Sequence, residues 1–580
     1  MNRLIVLAVS TLSVAVCQGQ PLENPGFEEG LAHWQASGGT NLFSVAEFEG
    51  RKVLSASMEG KGGQRNISQR FPVQPGEGFE LTAELFAGME SGWSGMALQF
   101  FDEKQKILVS LPNWPPSGAK GWSRPVLRCR APAGAVEGEV LLFINGKGKA
   151  RWDNLELVSI PPIMIEDKTN VEITVTDEVV CRHFMGFGFE DDGWFYNEHN
   201  AAHGVDEADA KTREARIEWM DPDMVRMFFW NIEWCPAQDW KTFDWQTDDM
   251  TSKYRTLDVY QKIGATINMC GVEWGHTNAW PEPKVLANGF GELLEHLIKT
   301  KGYSCIKYWT LTNEPDGYFN QSCGDFDKYV QYHIAMKQEI DRRGLDVKIV
   351  GSDDMVTDWF DRCLAAPGYD DVINMYSTHI YIHDYNLDLA DNIFAERTGK
   401  LKGKPWTIGE YGFRDHRFVP PYTNPFSEDY DYALRNHGFV IDGLNQGVAS
   451  FQYWCIHEMY YVDPDNRMLF GLWNYKDRDW SIRPVYHSMA SLCRLTEAGD
   501  TVYRCTTTQP GVKAARVGNV LFWVNGSATA KDIRIKGADL KSANIMAEDT
   551  LEGERECGKM VAEFKGNVLH VPPKSFGHTV

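Results

Sequence analysis

Two stretches of this sequence put acids where apolar runs stop. In "KYWTLTNEPDGYF", residues 307–319, apolar and β-branched residues lead into Asn313, Glu314 and a proline, then a loop of glycine and aromatics. In "PWTIGEYGF", residues 405–413, Glu410 sits at the end of a second such run. A carboxylate in a buried strand is costly unless it is partnered or used. Two of them facing one another suit cleavage of a glycosidic bond. One, protonated, assists the leaving oxygen; the other, ionised, attacks or stabilises the sugar cation. Four further residues stand at comparable strand ends: Arg226, His379, Tyr381 and Trp454. His379 and Tyr381 are two apart and so share one side of their strand. An arginine beside Glu410 would lower that carboxylate's pKa, while a less compensated Glu314 stays protonated.

The elements that must carry these groups read as eight strands separated by helices. The strand runs are "HFMGFGFE", "MVRMFFWNIEW", "ATINMCGVEW", "IKYWTLTNEP", "VKIVGSDD", "NMYSTHIYI", "PWTIGEYGF" and "VASFQYWCIHE". Amphipathic stretches such as "TSKYRTLDVYQKIG", "GFGELLEHLIKTKG" and "KYVQYHIAMKQEIDRRG" lie between them. This is the pattern of a (β/α)8 TIM barrel over residues 181–496, whose reactive groups sit at the C-terminal ends of the strands. Three βα units of roughly 30 residues each fill the interval from Glu314 to Glu410, which sets strands four and seven across the mouth from each other. A doubly wound sheet competes, but no glycine-rich phosphate fingerprint follows the first strand.

The flanks differ from the barrel. Residues 21–160 hold many short alternating runs and no long helix, the signature of a β-sandwich. Residues 161–180 are a linker plus a strand, "VEITVTDEVV", expected to join a small C-terminal β domain at 497–580. Residues 1–20 have one arginine, an apolar run and then small residues, as in a secretory signal peptide. The expected location is therefore secreted or periplasmic, and no later segment is apolar for long enough to span a membrane. Of 580 residues, 43% are hydrophobic and 24% charged, a globular composition. The formal charge of −22 argues against nucleic acid as a partner. Among twelve cysteines there is no CxxC or CxxH spacing, so zinc sites and a disulfide framework both read poorly. Cys305–Cys323 and Cys505–Cys557 are the pairings left open.

"TNEP" on strand four, "STHIY" on strand six, "IGEYG" on strand seven and a tryptophan on strand eight resemble clan GH-A glycoside hydrolases, among them families 5, 30, 39 and 51. The resemblance implies Glu314 as acid/base and Glu410 as nucleophile. It further implies Asn313 on the sugar 2-hydroxyl, Tyr381 or His379 positioning Glu410, Arg226 keeping it ionised, and Trp454 as the floor of the subsite that holds the cleaved sugar. The N-terminal unit, opening "NPGFEEGLAHW" and closing "WDNLEL", resembles carbohydrate-binding modules of the galactose-binding-like type. Trp93, Trp114 and Trp122 are its candidate stacking surfaces, and Asp153 with Glu28 a candidate ion pair of ligands. Trp230, Trp234, Trp274, Trp280 and Trp473 divide between cleft and core. Asp463 and Asp465 read as a solvated turn rather than calcium ligands. Nothing supports Cys235 or Cys270 as a nucleophile.

These observations lead to an exported, retaining glycosidase acting on a polysaccharide or oligosaccharide, without cofactor or metal because the carboxylates carry the chemistry. A transglycosylase on the same residues, or a carbohydrate-binding protein on an inactive barrel, are the alternatives.

Overall fold

The computed structural model describes residues 21–580 apart from 38–41, 60–62, 114–120, 133, 161–165, 273–279, 318, 320–322, 324, 384–385, 387–388, 402, 416, 420–422, 461–466, 541, 552, 556–559, 564–567 and 580. Residues 1–20, expected to be a signal peptide, and Trp114, Trp274, Asp463, Asp465 and Cys557 lie outside the described residues. The chain divides into two compact units, Met1–Ile163 and Met164–Val580.

The second unit is built round a closed barrel of parallel strands. They are β1 (Phe187–Glu190), β2 (Met224–Phe228), β3 (Thr266–Val272), β4 (Ile306–Thr312), β5 (Lys348–Asp354), β6 (Met375–His383), β7 (Trp406–Arg414) and β8 (Ser450–Tyr453). Every residue of β1, β2 and β8 is buried, and so are all but the last of β7. Parallel strands covered by helices have apolar surroundings on both faces, which is why these runs lack polar alternation. Helices end where the sequence says they should. Asp248–Ile263 begins at Thr247, whose side chain accepts from Met250 N, and stops at Gly264 with φ +82°. Phe326–Arg343 begins at Asp325 and stops at Gly344 with φ +59°. One departure from regularity lies at His296–Thr300, where the helix that starts at Pro283 widens into a π turn.

A nine-stranded sheet completes this unit. Strand Asn170–Cys181 pairs antiparallel with Val502–Thr507 and parallel with Lys531–Lys536, so chain preceding the barrel is stitched into the sheet that follows it. Helix Tyr430–Asn445 ties sheet to barrel: Asn445 donates to Ala514 O at 2.8 Å and accepts from Cys505 N at 2.8 Å.

The first unit is a nine-stranded antiparallel set. Two strands of 24 residues, Gly78–Phe101 and Glu137–Ile160, pair along almost their whole length, in place of the separate short runs read from the sequence. Gly92 and Gly146 permit this. A Cβ on either would fall 2.1 or 2.3 Å from a carbonyl oxygen of the facing strand, so only glycine lets the backbones close there. Trp93 is 46% exposed. Trp122 is half-buried, donates to Glu49 at 2.9 Å and lies under Arg51, so it is not a free stacking face. Asp153 stands 3.5 Å from Arg51, and Glu28 stands 3.5 Å from Lys52; the carboxylates face cations of the chain itself.

The ten described cysteines are all free thiols, Cys305 and Cys323 among them, so that pairing is not formed. Cys505, also free, is buried. Among the described residues no helix is long and apolar enough to cross a membrane.

Candidate active site

Register brings the strand-end residues into one layer. Glu190 of β1 is level with Arg226 of β2, Arg226 with Asn268 of β3, and His379 of β6 with Glu410 of β7. The last match depends on a register shift between Thr378 and His379. Gly409 is required beside it, because a Cβ there would lie 2.2 Å from Ser377 Oγ. That hydroxyl is already committed, donating to Asp353 Oδ1 at 2.6 Å.

One carboxylate oxygen of Glu314, one of Glu410 and a ring nitrogen of His379 all lie within 4.8 Å of one another. His379 Nδ1 is 3.0 Å from Glu314 Oε1 and 3.5 Å from Glu410 Oε2, while its Nε2 faces Asp353 Oδ1 at 3.2 Å. Tyr381 donates its hydroxyl to Glu410 Oε1. Of the two residues offered to position Glu410, Tyr381 therefore bonds it directly, whereas His379 is nearer to Glu314. The trio has the donor types of a cation site, but His379 already contacts both carboxylates and the Arg226 guanidinium 3.6 Å from Glu410 opposes a cation.

Arg226 is fully buried and heavily subscribed. Nη1 donates to Glu190 Oε2 at 2.6 Å, and Nη2 donates to Asp353 Oδ2 at 2.7 Å and to Asn313 Oδ1 at 2.8 Å. Asn313 is thus oriented by Arg226. Glu314 follows it with φ +44°, a left-handed conformation uncommon for this residue type, and Gly317 N closes the turn on Glu314 O at 2.9 Å. Asp316 anchors the same loop by accepting from Met355 N at 2.9 Å and Thr357 Oγ1 at 2.7 Å. On β5, Ser352 and Asp353 have φ of +57° and +52° beside a register shift. Backbone held there costs on the order of 1–3 kcal/mol per residue, and the bonds from Arg226, His379 and Ser377 to Asp353 offset it.

The charge states differ from the sequence expectation at one point. Burial pushes the Glu410 carboxyl up to about 7, with Glu314 and Glu190 adding to it; His379 and Arg226 pull the other way and do not win. The expected net depression of Glu410 is not found: Arg226 lowers it from 3.6 Å, its shorter bonds going to Glu190 and Asp353, and burial outweighs that pull. Asp353 is held below the ordinary carboxylate range: burial opposes this, but Arg226 and His379 outweigh it. Burial pulls His379 down, yet Asp353 and Glu410 raise it well above the usual imidazole value.

Trp454 follows β8 and is 7% exposed, 6.3 Å from Phe228 in a cluster that includes Trp194, Cys270 and Cys455. Half-buried Trp230 packs on Trp194 at 4.7 Å, giving the site an aromatic wall. Glu233 holds both, accepting from Trp194 Nε1 at 2.7 Å and Trp230 N at 2.8 Å, with Lys253 3.0 Å behind it. Trp234 and Trp473 are core residues, and Trp280 packs edge-on against Phe319. Cys270 is buried against Arg226 Nη2, and burial raises its thiol far above the range of a nucleophile. Cys235 is buried as well, its thiol raised by burial.

Sequence reasoning missed Glu190, Asp192 and Asp353. The signal was present in "FEDD" and "GSDD", acids ending apolar runs in the manner of Glu314.

No protein-family model matches this chain, and no curated protein matches it. Solved structures do. The catalytic domain of the GH30 xylanase C from Talaromyces cellulolyticus is similar with a TM-score of 0.53 at 14% identity, over 70% of this chain and 99% of that one. A GH30 endoxylanase from Clostridium papyrosolvens is similar with a TM-score of 0.51 at 11% identity, over 71% and 99%. An endo-β1,6-glucanase gives 0.53 at 12% identity, over 84% and 98%. At these identities what the chain shares with them is the fold alone.

Proposed function

We propose that this protein is an exported retaining glycoside hydrolase of the clan GH-A type. The observation that carries the reading is the approach of Glu314, just past β4, and Glu410, midway along β7, which bring one carboxylate oxygen each within 4.8 Å. Carboxyl groups about 5 Å apart suit double displacement, whereas inverting enzymes leave roughly 6.5–9.5 Å for a water molecule. In the first step a Glu410 oxygen bonds to the anomeric carbon as the glycosidic C–O bond breaks, and Glu314 gives its proton to the leaving oxygen. In the second, Glu314 takes a proton from water, the water oxygen bonds to the anomeric carbon, and the Glu410 ester bond breaks. Tyr381 fixes Glu410, Asn313 is presented to the sugar by Arg226, and the aromatic wall of Trp454 and Trp230 offers apolar faces to a pyranose ring. The chemistry needs no cofactor. The first unit would hold carbohydrate through exposed Trp93, and residues 1–20 would direct export.

The solved structures of this fold that act on xylan and on β1,6-glucan make those polymers the first to screen, beside nitrophenyl glycosides. Glu410→Gln should lose all hydrolysis. Glu314→Ala should keep part of its activity on nitrophenyl glycosides, whose leaving group needs little protonation, and should regain rate with azide. Proton NMR of the first-formed sugar should show retained anomeric configuration. Inverted product, or unchanged turnover by Glu410→Gln, refutes the assignment.

A further inference from the structure

Arg226 Nη1 stands between two carboxylates, 2.6 Å from Glu190 Oε2 and 3.6 Å from Glu410 Oε2. It bonds the one that takes no part in the proposed chemistry. Nη2 cannot compensate, being engaged by Asp353, Asn313 and Cys270 at 2.7, 2.8 and 3.3 Å. Glu190 lies at the tip of β1 and is fully buried, as is Asp192 two residues on. Glu190 Oε1 and both carboxylate oxygens of Asp192 have no hydrogen-bond donor among the described residues. A single proton held between the two groups gives two of these three oxygens a partner, and an orphaned buried acceptor is otherwise expensive.

The geometry points to Glu190 as a positioning residue for the same reaction: it holds Arg226 Nη1 away from Glu410 and so leaves the Glu410 carboxylate more basic. This rests on the reading of Glu410 as nucleophile. A carboxylate spared a direct guanidinium bond is the stronger nucleophile once ionised, and it needs less energy to release its charge to the anomeric carbon. Burial first, then repulsion by the Glu190 charge, raises Asp192 well above the ordinary carboxylate range, as the shared proton requires.

The groups that face Glu410 are Tyr381 and His379 from β6, Glu314 beyond β4, Arg226 from β2 and Glu190 from β1, with Asp353 of β5 behind His379 and Arg414 of β7 over the Tyr381 ring. Only Glu190 both repels Glu410 and restrains its nearest guanidinium. Removing its charge therefore acts twice in one direction.

The test reads Glu410 without substrate. Infrared difference titration of the protonated carboxyl band, with Glu410→Gln as the blank, should place the midpoint near 7 in the wild-type chain. In Glu190→Gln the midpoint should fall by about one pH unit, the scale of a cation brought onto a carboxylate. Glu190→Asp, which withdraws the carboxylate by one methylene and keeps the pair charged, should move it the same way by less and guards against a misfolded glutamine variant. Asp192→Asn should leave it nearly in place, since the Asp192 side chain bonds neither Arg226 nor Glu410. A midpoint unchanged or raised in both Glu190 variants overturns the inference, as does an Asp192→Asn shift equal to that of Glu190→Gln. On a cleaved glycoside the acid limb of kcat/KM should follow the same shifts. If the titration shifts while the wild-type chain cleaves no sugar, the electrostatic inference stands and the glycosidase reading fails.

Discussion

Tyr381→Phe isolates one bond at the reacting carboxylate. The substitution removes a hydroxyl and leaves the ring, so packing against Arg414, 4.1 Å from the ring centroid, is kept. What is lost is the donor on Glu410 Oε1. Hydrogen bonds to charged groups are worth about 1.5–3 kcal/mol, and this one favours the ionised form of Glu410. Its loss raises the Glu410 pKa further above 7, by about one to two pH units, since each unit is worth about 1.4 kcal/mol. At a pH above both limbs, a nucleophile less well oriented should lower kcat/KM by roughly 10- to 100-fold. At pH 6 the loss should be greater, because a smaller fraction of Glu410 is ionised. The assay is a kcat/KM profile from pH 5 to 10 on whichever nitrophenyl glycoside the wild-type chain cleaves, with circular dichroism to confirm an unchanged melting temperature near pH 6. An acid limb that stays put or moves to lower pH would refute the claim that Tyr381 stabilises ionised Glu410. The opposite displacement expected for Glu190→Gln makes the two variants mutual controls.

Other perturbations probe the same network. Glu410 is raised from 4.5 to about 7, so the native chain holds a proton that the unfolded chain has released. The corresponding stability is complete below pH 4.5 and is lost as pH climbs through 7; Glu410→Gln should match wild type at pH 4 and exceed it at pH 8 by on the order of 3 kcal/mol in denaturant unfolding. An equal stability difference at both pH values would contradict the raised carboxyl. Lys253→Met removes the cation 3.0 Å from Glu233, whose carboxyl burial already raises to about 8, and the donor to Asp192 O, so unfolding should cost about 1–3 kcal/mol less. Tryptophan fluorescence of Trp194 and Trp230 should change with it, and an unaltered spectrum would dissociate Glu233 from the aromatic wall. Gly409→Ala displaces Ser377 from Asp353 and should cost activity by at least tenfold with a small change in melting temperature; full activity would show that the Ser377–Asp353 bond is dispensable.

Much of the barrel was legible because its strands obey a simple rule. Parallel strands buried on both faces need runs of apolar residues, and a polar residue at the end of such a run stands out. Asn313, Glu314 and Glu410 are visible on that ground, and so are His379 and Tyr381 with their spacing of two. The first unit was less legible, since a long strand bent at Gly92 reads as two short ones when periodicity breaks at a glycine. Asp353 was hidden by its backbone: "GSDD" offers two aspartates, and only the left-handed turn at Ser352 and Asp353 decides which faces His379. Asp354, one residue on, turns instead to Arg397 at 2.6 Å.

The misread charge of Glu410 has a different origin. Sequence can name the cation near a carboxylate, but an arginine has five donors in a fixed fork, and proximity does not say where each one goes. In this barrel the fork closes on Glu190 of β1, Asp353 of β5 and Asn313 just past β4, and Glu410 receives the residual field at 3.6 Å. The field of one guanidinium, divided among carboxylates, does not overcome the removal of Glu410 from water. The wholly buried charges near Glu410 are Arg226 and His379 on one side and Asp353 and Glu190 on the other, so the cluster is close to neutral before the Glu314–Glu410 pair is counted. A pair of carboxylates added to a neutral, dry cluster cannot both ionise cheaply. One of them keeps a proton in the empty site, and because burial raises Glu410, that carboxyl must give its proton up before it can attack.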